Sequence, residues 1–310
     1  MSSPRKRRGL GGTLVPWEYS YNSYTMWIFI LSALIAESSL ALYPIFVKNI
    51  NLPIFVQMWS RFFSYVAISA AFIDYDFVAK NLVSSRGLVL CAITTIHIYF
   101  SYRGFQLLES GVAYTLFYLY PLMILLMAGE NINPIMIFAA VGVYLLASGG
   151  SAAAGAPAPA APSTEGVAMI LGAAATEAAI YFAVRGLKTG NHWNHLFISY
   201  FAGAVLFSAG LMWGGGGGGG AAAAAKRPLV WASLGINALI GLFGYLLRFF
   251  AISNLPASIY APLSYFGIFM SYLYGVLING DKITAAKVAG TIMILAPNVY
   301  LGAEKLKNQK

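Results

Sequence analysis

Runs of roughly twenty apolar residues, closed by short polar or glycine-containing breaks, succeed one another along most of the chain. Nothing else in the sequence restricts the fold as strongly. An α-helix rises about 1.5 Å per residue, so about 20 residues cross the roughly 30 Å hydrocarbon layer of a bilayer. Candidate spans fall at 24–45, 54–73, 87–106, 111–128, 134–150, 166–184, 195–213, 228–250, 256–278 and 284–302. The breaks include Asn51-Leu52-Pro53, Asp74-Tyr75-Asp76, Gly129-Glu130-Asn131, Leu255-Pro256 and Gly280-Asp281-Lys282. Ten transmembrane helices follow, with nine as the alternative because the fourth and fifth runs are short. Composition agrees: 59% of the residues are hydrophobic and 9% charged, against about a quarter charged in a soluble domain. The predicted fold class is all-α, a polytopic membrane protein.

Charge and cysteine content narrow the function further. The net charge of +9 sits on Lys and Arg of loops and termini with no basic groove, so nucleic acid is not an expected partner. Those cations read as topology signals. Arg5, Lys6, Arg7 and Arg8 precede an apolar run, Tyr24 to about Ile45, that is too long for a cleaved signal peptide. With this cluster on the cytoplasmic side, 12 Lys and Arg fall inside and six outside, and ten spans return the C-terminus to the cytoplasm as well. Which membrane holds the protein stays open. The single cysteine, Cys91, rules out an intramolecular disulfide and a Cys-based metal cluster. Seven glycines at 214–220 resemble a phosphate loop, but Arg227 and Pro228 follow Lys226 where a magnesium-holding Ser or Thr would stand. They read as a flexible connection, and no metal, cofactor or catalytic residue is expected.

The chain also repeats itself. A shift of 140 residues lays Ile30-Leu31-Ser32-Ala33-Leu34-Ile35-Ala36-Glu37 over Ile170-Leu171-Gly172-Ala173-Ala174-Ala175-Thr176-Glu177, and matches Lys48 with Lys188 and Asn51 with Asn191. Arg103-Gly104-Phe105 resembles Arg248-Phe249-Phe250 at 145, where Tyr120 also meets Tyr265. Gly129-Glu130-Asn131-Ile132 meets Gly280-Asp281-Lys282-Ile283 at 151. Each half then holds five spans, and an odd number inserts the second half upside down. Such inverted repeats are common in secondary transporters, with the substrate site near the midplane between them.

Several segments resemble the EamA-like branch of the drug/metabolite transporter superfamily. Ser253-Asn254-Leu255-Pro256-Ala257-Ser258-Ile259-Tyr260-Ala261-Pro262-Leu263 is similar to that family's approach to its ninth helix. Ile278-Asn279-Gly280-Asp281-Lys282-Ile283-Thr284 resembles its Gly-Glu-x-hydrophobic-Thr turn, with Asp in place of Glu, and Ala289-Gly290-Thr291-Ile292-Met293-Ile294-Leu295-Ala296 its small-residue tenth helix. Gly111-Val112-Ala113-Tyr114 to Tyr120-Pro121, then Gly129-Glu130, repeats the pattern in the first half. The shortened fourth helix and the Gly and Ala insertions depart from it. The resemblance implies two EamA-like five-helix repeats at 24–149 and 166–303, the second carrying the Gly/Ala-rich loop 214–225. A basic tail (1–23), a Pro/Ala-rich linker (150–165) and a short C-terminal tail (304–310) complete the chain. It also implies a central cavity lined by spans four and nine.

Ionisable groups inside hydrocarbon cost several kcal/mol by the lower estimates, so they face a cavity or a partner. Glu37, Arg61, His97 and Glu177 are the clearest cases. If the repeat holds, Glu37 and Glu177 approach the centre from opposite halves; their roles are proton coupling, binding of a cationic group, or a structural pair such as Glu37 with Arg61. His97 reads as a proton relay, a cavity hydrogen-bonding group or a packing histidine. His192 and His195 are three apart but expected in a loop, so they make a poor metal site. Arg103 and Arg248 stand near span ends, either snorkelling and pairing with a helix terminus or anchoring an anion. Tyr114, Tyr118 and Tyr120 on span four, with Tyr260, Ser264 and Tyr265 on span nine, offer hydroxyl-bearing walls to an amphipathic solute, or plain packing. The expected function is secondary transport of a small organic metabolite by alternating access, proton-coupled or exchanging. The alternatives are a membrane-embedded receptor or scaffold and a lipid-modifying enzyme, and the latter is disfavoured by few histidines and short loops. A small-molecule solute and the lipid bilayer are the expected partners, with a homodimer a further candidate.

Overall fold

The computed structural model describes residues 23–50, 52–108, 110–129, 135–148, 163–213 and 228–279, together with 285, 288–293, 296 and 300. The basic N-terminal tail, most of the Pro/Ala linker, the Gly/Ala loop, Glu130, the Gly280-Asp281-Lys282 turn, most of the tenth span and the C-terminal tail lie outside the described residues. Among the described residues all regular structure is helical.

The helices are α1 (Ser23–Ala41), α2 (Tyr43–Asn49), α3 (Ile54–Ser69), α4 (Tyr75–Leu82), α5 (Ser85–Leu107), α6 (Ser110–Phe117), α7 (Tyr120–Met127), α8 (Ile135–Ser148), α9 (Thr164–Gly186), α10 (His192–Trp213), α11 (Pro228–Asn254), α12 (Ala257–Ser264) and α13 (Phe266–Tyr274), the last running into a π-helical turn, Gly275–Asn279. Short hydroxyl or carboxylate side chains start three of them. Asp74 accepts from the Phe77 N–H at 3.1 Å, Ser84 from Gly87 at 3.1 Å and Ser163 from Gly166 at 3.3 Å, each satisfying a donor that the first helical turn leaves unpaired. His192 and His195, expected in a loop, belong to α10, because Asn191 accepts from the Trp193 N–H and starts the helix there.

Among the described residues six stretches are long and apolar enough to cross a membrane: Thr25–Val47, Ser85–Leu107, Thr164–Gly186, His192–Leu211, Pro228–Asn254 and Ile259–Ile278. Three other expected spans, the second, fourth and fifth, are shorter in their described residues. Helix α3 has 16 residues, or about 24 Å, and α8 has 14. The fourth span is split into α6 and α7.

Spans four and nine are both broken, and each carries a proline. Pro121 lacks the N–H that would bond the Phe117 carbonyl, and the helix restarts at Tyr120. Pro262 lies inside α12, and tighter bonds (Tyr265 N–H to Pro262 at 3.3 Å, Ile268 N–H to Tyr265 at 3.0 Å) mark the join with α13. The first span bends for a similar reason at Pro44, which leaves the Leu40 carbonyl without its helical donor. The Tyr114 hydroxyl fills the gap, donating to Leu40 O at 3.1 Å and Ala41 O at 2.7 Å.

Helices of the two halves interleave. Helix α1 packs on α11 and α5 on α9; α3 packs on α10; α5 touches α10 and α3 touches α11; α7 meets α12, and α6 and α7 rest on α9 as α12 and α13 rest on α1. Exchanging α1 with α9, α3 with α10, α5 with α11 and α6–α7 with α12–α13 reproduces this set of contacts. Two glycines permit close approach at the centre: a Cβ on Gly267 would run into the Tyr118 hydroxyl, and one on Gly241 into the Tyr65 hydroxyl.

Candidate functional site

The centre of the bundle contains a buried ion network assembled from both halves. Glu37 on α1, wholly buried, faces Arg248 on α11, which is 2% exposed. The Arg248 Nε donates to Glu37 Oε1 at 3.2 Å and its Nη2 to both carboxylate oxygens at 2.9 Å. The Arg248 Nη1 donates to Oε1 of Glu177, on α9. One guanidinium thus bridges the two glutamates that the repeat pairs, and each of its nitrogens has a carboxylate acceptor. Two parallel contacts of this kind are stronger and more directional than a single ammonium contact.

Tyrosines close the network. The Tyr120 and Tyr260 hydroxyls donate to Glu37 Oε1 at 3.2 Å each, and Tyr118 donates to Oε2 at 3.4 Å. Tyr120 also accepts from Arg248 Nη2 at 3.1 Å. These hydroxyls come from the two broken spans, whose interruptions bring short helix ends to the midpoint of the bundle. Tyr265 is buried but its hydroxyl has no partner among the described residues, and Ser264 donates to Ala261 O of its own helix at 2.7 Å.

His97 on α5 joins from the other side. Its Nδ1 lies 3.1 Å from Ala173 O and 3.2 Å from the Thr176 hydroxyl, and its Nε2 lies 3.1 Å from Glu177 Oε2 and 3.3 Å from Ser101 Oγ. The Thr176 hydroxyl is itself engaged with Gly172 O at 2.8 Å.

Arg61 on α3 is a second centre. It is 3% exposed. The structural pair of Glu37 with Arg61 suggested by the sequence does not form, since Arg248 occupies Glu37, and no carboxylate among the described residues lies within salt-bridge distance of Arg61. Its guanidinium carbon instead lies over rings: 4.3 Å from the centre of Tyr43, 4.9 Å from Tyr245, 5.3 Å from Tyr65 and 5.6 Å from Tyr200. Its Nη2 donates to the Tyr200 hydroxyl at 3.0 Å. A cavity of about 30 Å³, room for a water molecule or two, is lined by both arginines and by Tyr43, His97, Tyr118 and Tyr245, and the Tyr245 ring lies within reach of both guanidinium groups, 4.9 Å from Arg61 and 5.4 Å from Arg248.

Of the residues singled out in the sequence, Glu37, His97, Tyr118, Tyr120, Glu177, Arg248 and Tyr260 meet in one network, and Arg61 lines the same cavity. Tyr114 is tied to the bend in the first span. Arg103, matched to Arg248 by the repeat, is 37% exposed and pairs at 2.9 Å with Glu165 on the rim, away from the centre. Sequence reasoning missed Tyr43, Tyr65, Tyr200 and Tyr245. The available signal was the four-residue spacing of Tyr65 from Arg61, which puts both on one helix face.

A buried ion network inside a bundle with six membrane-length helices among the described residues fits a multi-pass membrane protein. Residues 164–297 match the model of the EamA-like transporter family. The second half of the chain is thus similar to that family, part of the drug/metabolite transporter superfamily, whose members are membrane transporters. No curated protein matches the chain. A solved crystal structure superposes with a TM-score of 0.66 at 17% identity, covering 94% of this chain and all of its own, a likeness of fold.

Proposed function

We propose that the chain is a secondary transporter of a small organic metabolite, built as two inverted five-helix repeats (24–149 and 166–303) that rock against each other about the Glu37–Arg248–Glu177 centre. The carrying observation is that this buried network takes its members from both halves: Glu37 and Tyr120 from the first, Glu177, Arg248 and Tyr260 from the second. Motion of one half against the other must stretch or exchange these bonds. The contact set that survives exchange of the halves supports the repeat, as do the breaks at matched positions in spans four and nine, where transporters of this plan bind solute. The bias of basic residues supports a cytoplasmic position for both termini on this reading.

Coupling to protons has its own support. The Ala173 carbonyl only accepts, so the 3.1 Å contact assigns a hydrogen to His97 Nδ1. Nε2 of a neutral imidazole then presents a lone pair to Glu177 Oε2 at 3.1 Å, and a proton between them turns that contact into a hydrogen bond. When the halves separate, Glu177 and His97 are parted and the proton can leave.

The test uses liposomes carrying the protein, loaded with a fluorescent pH reporter and challenged with a panel of organic solutes. Wild-type protein is expected to move protons with at least one solute. Glu177→Gln and His97→Gln should abolish proton movement, while Glu177→Gln still exchanges that solute across the membrane. Proton flux equal to wild type in both variants would remove the pair from coupling, and no flux of any solute would defeat the transport reading.

A further inference from the structure

Arg61 is poorly explained as a structural cation. Buried charges are paired or coordinated because desolvation is costly, yet this guanidinium donates to the Tyr200 hydroxyl and lies among four ring faces. Its Nε has no hydrogen-bond partner among the described residues. The hydroxyls of Tyr43, Tyr65 and Tyr102, all buried around it, also lack a partner at normal hydrogen-bond geometry, although Tyr102 lies close enough to Tyr43 and Arg61 to interact with both. Tyr43 and Tyr102 meet edge to face at 5.5 Å, so these phenols form one group. The result is a positive charge with three phenol groups around it, of which Arg61 and Tyr43 line the cavity. Glu37 is fully engaged by Arg248 and the span-four and span-nine tyrosines, and Glu177 is bonded through Oε1 to Arg248, its Oε2 turned to His97.

Donors without acceptors call for an anion. Resting on the transport reading above, we propose that Arg61, with the hydroxyls of Tyr43, Tyr65 and Tyr102, binds the carboxylate of an organic monoanion with an aromatic or branched apolar body. The guanidinium edge and the phenols supply donors to two carboxylate oxygens. A monoanion is the smaller burden, because Arg61 and Arg248 together already balance Glu37 and Glu177, and an inorganic phosphate dianion would add two negative charges rather than one in the low dielectric of the bundle. The apolar body follows from the rest of the lining, where Leu40, Ile98, Phe105 and Phe117 face the same cavity. In the closed form there is room only for water, so the anion meets Arg61 as the halves open.

Three probes share one aromatic body and differ in charge: phenylacetate, phenylethylamine and 2-phenylethanol; inorganic phosphate is the fourth. Each is titrated against the full-length protein in lipid nanodiscs by intrinsic fluorescence. Phenylacetate is expected to bind saturably and at least tenfold more tightly than the other three. Arg61→Gln should weaken phenylacetate at least tenfold and leave 2-phenylethanol within twofold. Tyr65→Phe removes a hydroxyl with no partner in the closed protein, so it should leave thermal unfolding unchanged and weaken phenylacetate about three- to tenfold. If Arg61→Gln fails to fold, Tyr65→Phe and Tyr102→Phe carry the test by themselves. Absence of phenylacetate binding to wild type, preference for the amine or phosphate, or unchanged phenylacetate affinity in the variants overturns the anion site. Solute-driven flux in the liposome experiment would then still stand, so the two failures are distinguishable.

Discussion

The protein buries two arginines beside one cavity and satisfies them in opposite ways. Arg248 has a carboxylate on every nitrogen and joins helices of both halves. Arg61 rests among four tyrosine rings and donates to the Tyr200 hydroxyl. A guanidinium over a ring face gains about 0.5–2 kcal/mol, whereas breaking a buried ion pair costs about 3–5 kcal/mol because the remaining charge is left uncompensated. The difference separates a charge fixed by carboxylates of two helices from one held among aromatic rings.

The severest way to break this contrast is Arg248→Gln. Two buried carboxylates would lose their shared cation, and a loss of about 3–5 kcal/mol is expected, read as poor recovery of folded protein and a lowered unfolding temperature in detergent. Arg248→Lys should recover only part of it, since one ammonium cannot bond both glutamates with the same geometry. Wild-type unfolding of Arg248→Gln would remove the pinning role. Next comes Tyr120→Phe, which deletes a hydroxyl standing between Arg248 and Glu37. A cost of about 1–2 kcal/mol is expected, and no change would mean that Tyr118 and Tyr260 already saturate the carboxylate.

Arg61→Gln sharpens the comparison from the other side. It forfeits ring contacts but also relieves a buried charge without a carboxylate, so the two terms oppose each other and the net change should stay within about 1 kcal/mol. Thermal unfolding measured beside Arg248→Gln checks this. A loss as large as that of Arg248→Gln would make Arg61 a structural cation and erase the distinction.

Much of this centre is legible in the sequence. Glu37, Glu177 and His97 stand out because ionisable side chains in apolar runs demand partners, and the 140-residue match sets the two glutamates against each other. Partner choice is not legible. Arg248 lies in the last third of α11 and reads from its position as a span-end cation; only the packing of α11 across α1 and α9 turns it toward both carboxylates. The tyrosine cage draws on α2, α3, α10 and α11, which no local spacing brings together. Span four was legible as apolar, but its division into α6 and α7 depends on Pro121 falling after the Tyr118-Leu119 turn, and hydropathy is blind to a missing N–H.

Arg103 gives the smallest and most discriminating effect. Sequence alignment of the halves equates it with Arg248, so if charge were conserved by symmetry its removal would also be severe. Its side chain is instead 37% exposed and its partner Glu165 is 50% exposed. Solvent-screened pairs of this kind contribute about 0–1 kcal/mol. Arg103→Ala should therefore shift stability by no more than about 0.5 kcal/mol and leave solute flux at the wild-type rate. A large loss of flux with stability intact would show that the rim pair opens and closes with the halves, and the division between a working centre and an inert edge would have to be redrawn.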